Sequence, residues 1–116
     1  SKDGQPVMSY GVMGGNMQPQ GHLQTLVRML DYGQNPQAAC DAPRWRYNAG
    51  LEINVESTLD SNTVAGLQAL GHRMEVINDS YQDFGSGQFI WRAGDPKVEG
   101  YIVASDSRRD GLAAGF

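Results

Sequence analysis

Two adjacent glycines, Gly14 and Gly15, stand between an apolar alternation and the opening of a helix in "YGVMGGNMQPQGHLQ", Tyr10 to Gln24. Backbone N–H groups at such a junction can approach an anion with no side chain in the way. Oxyanion holes are built on that property, because charge developing on an acyl oxygen needs donors that are already in place. The same pair also suits a tight turn that requires positive φ. Taken by itself, the stretch reads first as that turn. A dinucleotide fingerprint is excluded by spacing, since there is no G-x-G-x-x-G and no acidic residue after a second strand.

Other reactive side chains are scattered. His22 and His72 are isolated from one another, and neither has a second histidine at ligand spacing, so no metal site is expected. His22, near a helix start, is expected to be exposed or to act as a cap. The one cysteine, Cys40, lies beside Ala38 and Ala39 and is expected as a small core residue. A single cysteine excludes an internal disulfide. It fits a reducing compartment without excluding an oxidising one, so cytoplasmic and periplasmic locations both stay open. Ser1 could serve as a nucleophile with its own α-amine as base only on a buried strand. It precedes Lys2-Asp3-Gly4, an exposed turn, and is set aside. The segment "SDSRRDG" gathers Asp106, Arg108, Arg109 and Asp110. It is expected to be a surface lock of ion pairs worth about 0–1 kcal/mol each.

These groups must be positioned by a short series of elements. Val7 to Val12 reads as a strand with Met8, Tyr10 and Val12 on one face. Leu23, Leu26, Val27 and Leu30 follow helical spacing, and Gly33 ends that helix. Asn35 caps a second helix with Pro36 in its first turn, and Pro43 stops it near Asp41. Leu51, Ile53 and Val55 alternate with Glu52, Asn54 and Glu56 as a half-buried strand. Asp60 or Ser61 caps a third helix carrying Val64, Leu67 and Leu70, closed by Gly71. Met74 and Val76 (or Ile77) mark a strand, Gly85-Ser86-Gly87 a turn, and Phe89–Trp91 and Tyr101–Val103 a hairpin around Asp95-Pro96. The order β-α-α-β-α-β-β-β predicts an α+β fold, a mixed or antiparallel sheet with its helices on one face. The strands carry enough large apolar residues, such as Phe89, Trp91 and Tyr101, that something is expected to cover the sheet's other face. Asp3-Gly4 is a hairpin pair with no strand before it. That pattern suggests a cloning remnant or a segment cut from within a larger fold.

The chain has 116 residues, 40% of them hydrophobic, enough for one domain with a modest core. Its net charge is -4, and its longest basic cluster is Arg108-Arg109. That pattern supplies no surface for nucleic acid or for an anionic membrane. No apolar run is long enough to span a bilayer.

Five pieces follow in order: "GGNMQPQGHLQ", "DYGQNPQAACDAPRW", "LGH", "GSGQ" and "ASDSRRDGLAAGF". Together they resemble the γ-glutamyltransferase (γ-glutamyltranspeptidase) family, in particular the bacterial branch whose glycine pair is followed by "MQPQGH". The resemblance covers Tyr10 to Phe116. It implies an N-terminal-nucleophile hydrolase with an α-β-β-α sandwich, made as a precursor that cuts itself into a large and a small subunit. The new N-terminal threonine of the small subunit would attack a γ-glutamyl amide such as glutathione, with its own α-amine as base. Water or an amino-acid acceptor would resolve the γ-glutamyl ester, and no cofactor is implied.

On this resemblance, residues 1–116 form a single segment, the C-terminal portion of the small subunit. Its partners would be the large subunit and the start of the small subunit. Gly14 and Gly15 match the family's oxyanion pair. Asn16 is a possible neighbour of that site and marks a departure, since many members read Pro-Gly-Gly-Ser where this chain has Met13-Gly14-Gly15-Asn16. The nucleophilic threonine has no match, because Thr25, Thr58 and Thr63 fall in other elements. The chain alone is therefore expected to be inactive. Asp41, Arg44 and Asp106 belong to matching stretches and are read as structural. Two alternatives stay open: a related cephalosporin or glutaryl-type acylase, and a non-catalytic assembly domain of the same fold. A segment taken from a sandwich is also expected to self-associate through its bare sheet face, giving a homo-oligomer.

Overall fold

A computed structural model describes residues 1–115. Phe116, the last residue of the matching tail, lies outside the described residues. Asp3 and Gly4 both take positive φ, 52° and 73°, and Lys2 and Gln5 exchange two backbone hydrogen bonds across them. The Asp-Gly pair therefore makes the hairpin turn its residue types demand.

The elements that follow are β1 (Met8–Met13), a 3₁₀ turn (Gly15–Met17), α1 (Gln18–Leu30), α2 (Pro36–Asp41), β2 (Trp45–Ala49) and β3 (Glu52–Glu56). After them come α3 (Ser61–Ala69), β4 (Arg73–Ile77), the single turn α4 (Ser80–Asp83), β5 (Ser86–Arg92) and β6 (Tyr101–Ser105). The caps are those the sequence offers. Asn35 accepts the Ala38 N–H at 2.9 Å, and Asp60 accepts that of Thr63 at 2.9 Å. Gly71, at φ 95°, turns the chain after α3.

The mixed sheet expected from the element order is two sheets of three strands. One is antiparallel, in the order β1-β5-β6. The other, β2-β3-β4, pairs β2 to β3 antiparallel and β3 to β4 parallel through α3. In the first sheet Tyr10 pairs with Phe89 and Phe89 with Ala104, so these residues share a face with Val12. That face packs on Met29 of α1 and on Ala39 and Cys40 of α2, forming the core. Phe89 and Trp91 thus point toward the helices, whereas Tyr101 lies on the opposite, exposed face with Ile90.

Three local expectations are corrected. Gly85-Ser86-Gly87 is not a turn throughout. Only Gly85 turns, at φ 70°, while Ser86 and Gly87 pair with Met13 and Val12. Gly87 is needed inside the strand because a Cβ there would meet the Phe89 ring at 2.6 Å. Glu56 is fully buried rather than on a solvated face. The leucine stripe of α1 is also not its packed face: Leu23 and Leu30 are exposed, and Gly21, Thr25 and Met29 are buried instead. The helix sits too close to β1 for a larger residue there, since a Cβ on Gly21 would come within 2.7 Å of Val12 Cγ1.

Candidate functional site

β1 runs out at Met13, and Gly14 turns the chain with φ 134°, ψ 25°. Gly15 follows at φ 57° and opens the 3₁₀ turn that continues into α1, with the Gly14 carbonyl accepting the Met17 N–H at 3.0 Å. The two positive φ values explain the glycines. Gly14, Gly15 and Asn16 are exposed. Among the described residues, neither amide N–H of the glycine pair donates to another group of the chain. The pair therefore offers two adjacent free donors at the positive end of a helix, where negative charge is stabilised.

Both flanks of this turn are tied down. His22 bridges strand and helix. Its Nε2 accepts the Val12 N–H at 3.2 Å, and its Nδ1 donates to the Gln18 carbonyl at 2.6 Å. It is neither a free surface residue nor a helix cap. Tyr10 stands beside it, with ring centroids 5.2 Å apart.

The amide-rich run has an equally concrete role. Gln24 accepts the Trp45 N–H at 3.0 Å and donates to the Trp45 carbonyl at 2.8 Å. Gln20 does the same to Tyr47, at 2.7 and 3.3 Å. One turn of helix thus imitates a strand neighbour along the free edge of β2, and satisfies groups an edge would leave unpaired. Gln37 of α2 repeats the pattern on Ser105 of β6. Sequence reading missed β2. The signal was present in the i, i+4 spacing of Gln20 and Gln24, but no rule of local propensity links helix glutamines to a strand.

Behind the glycine pair lies a buried charge cluster. Arg44, 1% exposed, donates to Asp106 Oδ2 at 2.7 Å and to the carbonyls of Phe84 (3.0 Å), Gly85 (3.2 Å) and Cys40 (3.2 Å). Arg108 donates to Glu56 through Nε at 2.6 Å and to Asp106 Oδ1 at 3.0 Å. Glu56 also accepts the Arg44 N–H at 2.7 Å, and Asp106 accepts that of Gly87 at 2.7 Å. Two guanidiniums face two carboxylates, so the cluster is neutral. It joins α2, the link from α2 to β2, β3, β5 and the tail. The expected surface lock is thus a buried one, because Asp106 and Arg108 turn inward under α2. Breaking a buried pair leaves an uncompensated charge and costs several kcal/mol, unlike an exposed pair.

Burial alone would raise the Asp106 carboxyl. The Arg44 guanidinium and the N–H groups of Arg108 and Gly87 more than offset it and hold it below the ordinary range. Glu56 is held down the same way, burial being outweighed by Arg108, Ser80 and the Arg44 N–H. Cys40 is fully buried, and burial pushes its thiol up to about 12. It is a core residue and not a nucleophile. Cys40, Asp41 and Asp106 bring their donor atoms within 4.8 Å of one another. Each of the three is already engaged within the chain: Asp106 by Arg44, Arg108 and the Gly87 N–H, Asp41 by Gln37 and the Ser107 N–H, and the thiol by the Gly87 carbonyl. Thr25 and Thr63 spend their hydroxyls on neighbouring groups, Thr25 on the Gly21 carbonyl and Thr63 on Asp60.

A family model described as gamma-glutamyltranspeptidase matches residues 1–116. The chain belongs to this family. It is 37% identical to a glutathione hydrolase-like YwrD proenzyme of Bacillus subtilis, a match covering 99% of this chain and 22% of that protein. It is 33% identical to an oxamate amidohydrolase proenzyme of Klebsiella pneumoniae, covering 95% and 21%. Among solved structures, a cephalosporin acylase from Bacillus halodurans superposes with TM-score 0.90 at 41% identity, over 100% of this chain and 21% of that one. The fold is shared with a gamma-glutamyltranspeptidase from Pseudomonas nitroreducens, with TM-score 0.84 at 22% identity and 58% of that chain covered. The chain thus spans about a fifth of the length of the curated relatives it matches.

Proposed function

We propose that this chain is the C-terminal part of the small subunit of a γ-glutamyltransferase-like enzyme, and that it carries the oxyanion hole. The observation behind this reading is the pair of exposed, unpartnered N–H groups at Gly14 and Gly15, at the start of the helix run. A threonine Oγ supplied from outside this chain gives its proton to that threonine's own α-amine and attacks the γ-glutamyl carbonyl carbon. The carbonyl oxygen takes up negative charge, and the two N–H groups donate to it. On collapse the protonated α-amine returns the proton to the leaving nitrogen, the C–N bond breaks, and the ester remains, which water or an amino acid then cleaves. Donors of this kind are worth about 10²–10³ in kcat each. Asn16 borders the site and bears on acyl preference.

A second reading has specific support in the 41% identity to a cephalosporin acylase and the 33% identity to an oxamate amidohydrolase proenzyme. In that reading the hole serves another amide. The test is the full-length protein assayed on γ-glutamyl, glutaryl and oxamate amides, with Gly14→Ala beside the parent sequence. The first reading expects turnover of γ-glutamyl-p-nitroanilide. In the variant it expects a fall of about 100-fold in kcat with KM nearly kept, because alanine keeps the N–H but its Cβ, 2.9 Å from the Gly85 Cα, must push the Gly14 backbone out of place. Turnover confined to glutaryl or oxamate substrates selects the second reading. An undiminished kcat in Gly14→Ala overturns the oxyanion role.

A further inference from the structure

The loop Met13–Met17 that carries the glycine pair is bounded by Val12 on one side and Gln18 on the other. His22 bonds to both. Its Nε2 accepts the Val12 N–H at 3.2 Å, and its Nδ1 donates to the Gln18 carbonyl at 2.6 Å. Only the neutral Nδ1–H tautomer satisfies the two bonds together. Gln18 is also the residue whose N–H closes the 3₁₀ turn onto the Gly15 carbonyl. The imidazole therefore fixes the distance between the last strand residues and the first helical turn, across the two glycines. α1 cannot slide to relax that distance, because Gln20 and Gln24 hold its other side to Tyr47 and Trp45 of β2. The Tyr10 ring stands beside the imidazole, tilted by 55° with centroids 5.2 Å apart.

We infer that His22 is a positioning residue for the oxyanion pair: by clamping Val12 to Gln18 it holds the Gly14 and Gly15 N–H groups in one orientation. This rests on the oxyanion reading above. The histidine touches no substrate. It acts through the loop, where it and the Gly85 backbone packed on Gly14 together restrict the freedom of two glycines. A displacement of about 1 Å at such a site costs on the order of 100-fold in rate.

The experiment uses the full-length protein with His22→Asn and His22→Gln. Glutamine places its Oε1 near the position of Nε2 and keeps an acceptor for Val12, whereas asparagine is too short to do so. His22→Asn is expected to lower kcat about tenfold or more with KM within about twofold, because a donor to the oxyanion matters only in the transition state. Hydrogen exchange of the peptide spanning residues 10–18 should quicken in the same variant. His22→Gln should restore kcat and exchange to within about threefold of the parent, because the Val12 bond is the one that crosses from β1 to α1, whereas the Gln18 bond lies within α1 and serves to orient the ring. If His22→Asn misfolds, the parent and His22→Gln still decide the question, since a glutamine variant that folds with kcat more than tenfold down overturns the inference. Faster exchange with kcat unchanged in His22→Asn also overturns it. Gly14→Ala separates the two levels. If it is costly while His22→Asn is harmless, only the positioning role falls. If it is harmless, the oxyanion reading falls and takes this inference with it.

Discussion

Gly14 and Gly85 pack backbone against backbone: a Cβ built on Gly14 would lie 2.9 Å from the Gly85 Cα, and one built on Gly85 would overlap the Met13 carbonyl oxygen. Arg44 holds the Gly85 carbonyl from the other side, so the glycine turn rests on a loop that the buried charge cluster fixes. Gly15 differs, with positive φ but open space around it. Gly85→Ala combines left-handed strain with a backbone collision and should cost about 3 kcal/mol. Gly15→Ala meets only the strain, about 1 kcal/mol. Urea midpoints compare the two. Equal losses would mean that the contact between the loops does not constrain them.

Asp106 is the junction of the charge cluster, bonded to both Arg44 and Arg108. Asp106→Asn keeps the shape and removes the charge, leaving two buried guanidiniums against Glu56 alone. Breaking a buried pair in this way costs about 3–5 kcal/mol. Arg44→Lys should not be mild either. A lysine has no fork with which to reach Asp106 and three carbonyls at once. A loss below about 1 kcal/mol for Asp106→Asn in chemical denaturation would place the pair with ordinary surface bridges.

The same cluster sets an acid limit. Asp106 and Glu56 are held below their ordinary values of 3.8 and 4.5 in the folded chain. The unfolded chain therefore binds protons first as pH falls. The contribution to stability is complete above about 4.5 and drains away as pH drops through the lower folded values. Unfolding free energy should be flat in this respect from pH 7 to 5 and fall steeply below 4, and Asp106→Asn should flatten that fall. A variant as acid-sensitive as the parent would remove Asp106 from the explanation.

Much of the fold was legible because its signals are local. Asp3-Gly4, Asn35-Pro36, Asp60 and Gly71 each announce their own geometry, and each adopts it. The glycine pair could be located but not interpreted alone, because a turn and an anion site ask for the same φ. What stayed hidden depends on partners distant in sequence. β2 forms an edge completed by side chains 21 and 27 positions away, so its residues show no alternation of burial. Glu56 and Asp106 look solvated until the chain brings Arg44 and Arg108 to them. The leucines of α1 obey helical spacing, yet that rule cannot say which neighbour the stripe will meet.

The glutamine pairing predicts a graded response. Gln24 is buried, whereas Gln20 is only partly covered. Gln24→Leu would leave the N–H and carbonyl of Trp45 without partners, in a setting where water reaches them poorly. It should cost about 1–3 kcal/mol. Gln20→Leu, where water can substitute at Tyr47, should cost less than about 1 kcal/mol. Thermal unfolding of the two variants would read the order, and a reversed order would count against the edge-capping account.

The outer face of the β1-β5-β6 sheet gives the last prediction. Ile90 and Tyr101 are 49% and 59% exposed there, and Ile90 lies opposite Val103 in the register. The tail runs onto this surface, where Ala114 and Gly115 line a groove with Ile90, Tyr101 and Val103, yet among the described residues about half of Ile90 and of Tyr101 stays exposed. An exposed apolar patch at the centre of a sheet face favours association. The 116-residue chain should sediment as a dimer or larger species at high concentration. Ile90→Lys puts a charge in the centre of the face and should return it to monomer, while leaving the opposite, helix-packed face untouched. Two copies would meet through the same surface and so form a closed pair rather than an open fibre. A parent chain that stays monomeric throughout the concentration series would contradict this, as would an Ile90→Lys variant that associates as strongly as the parent.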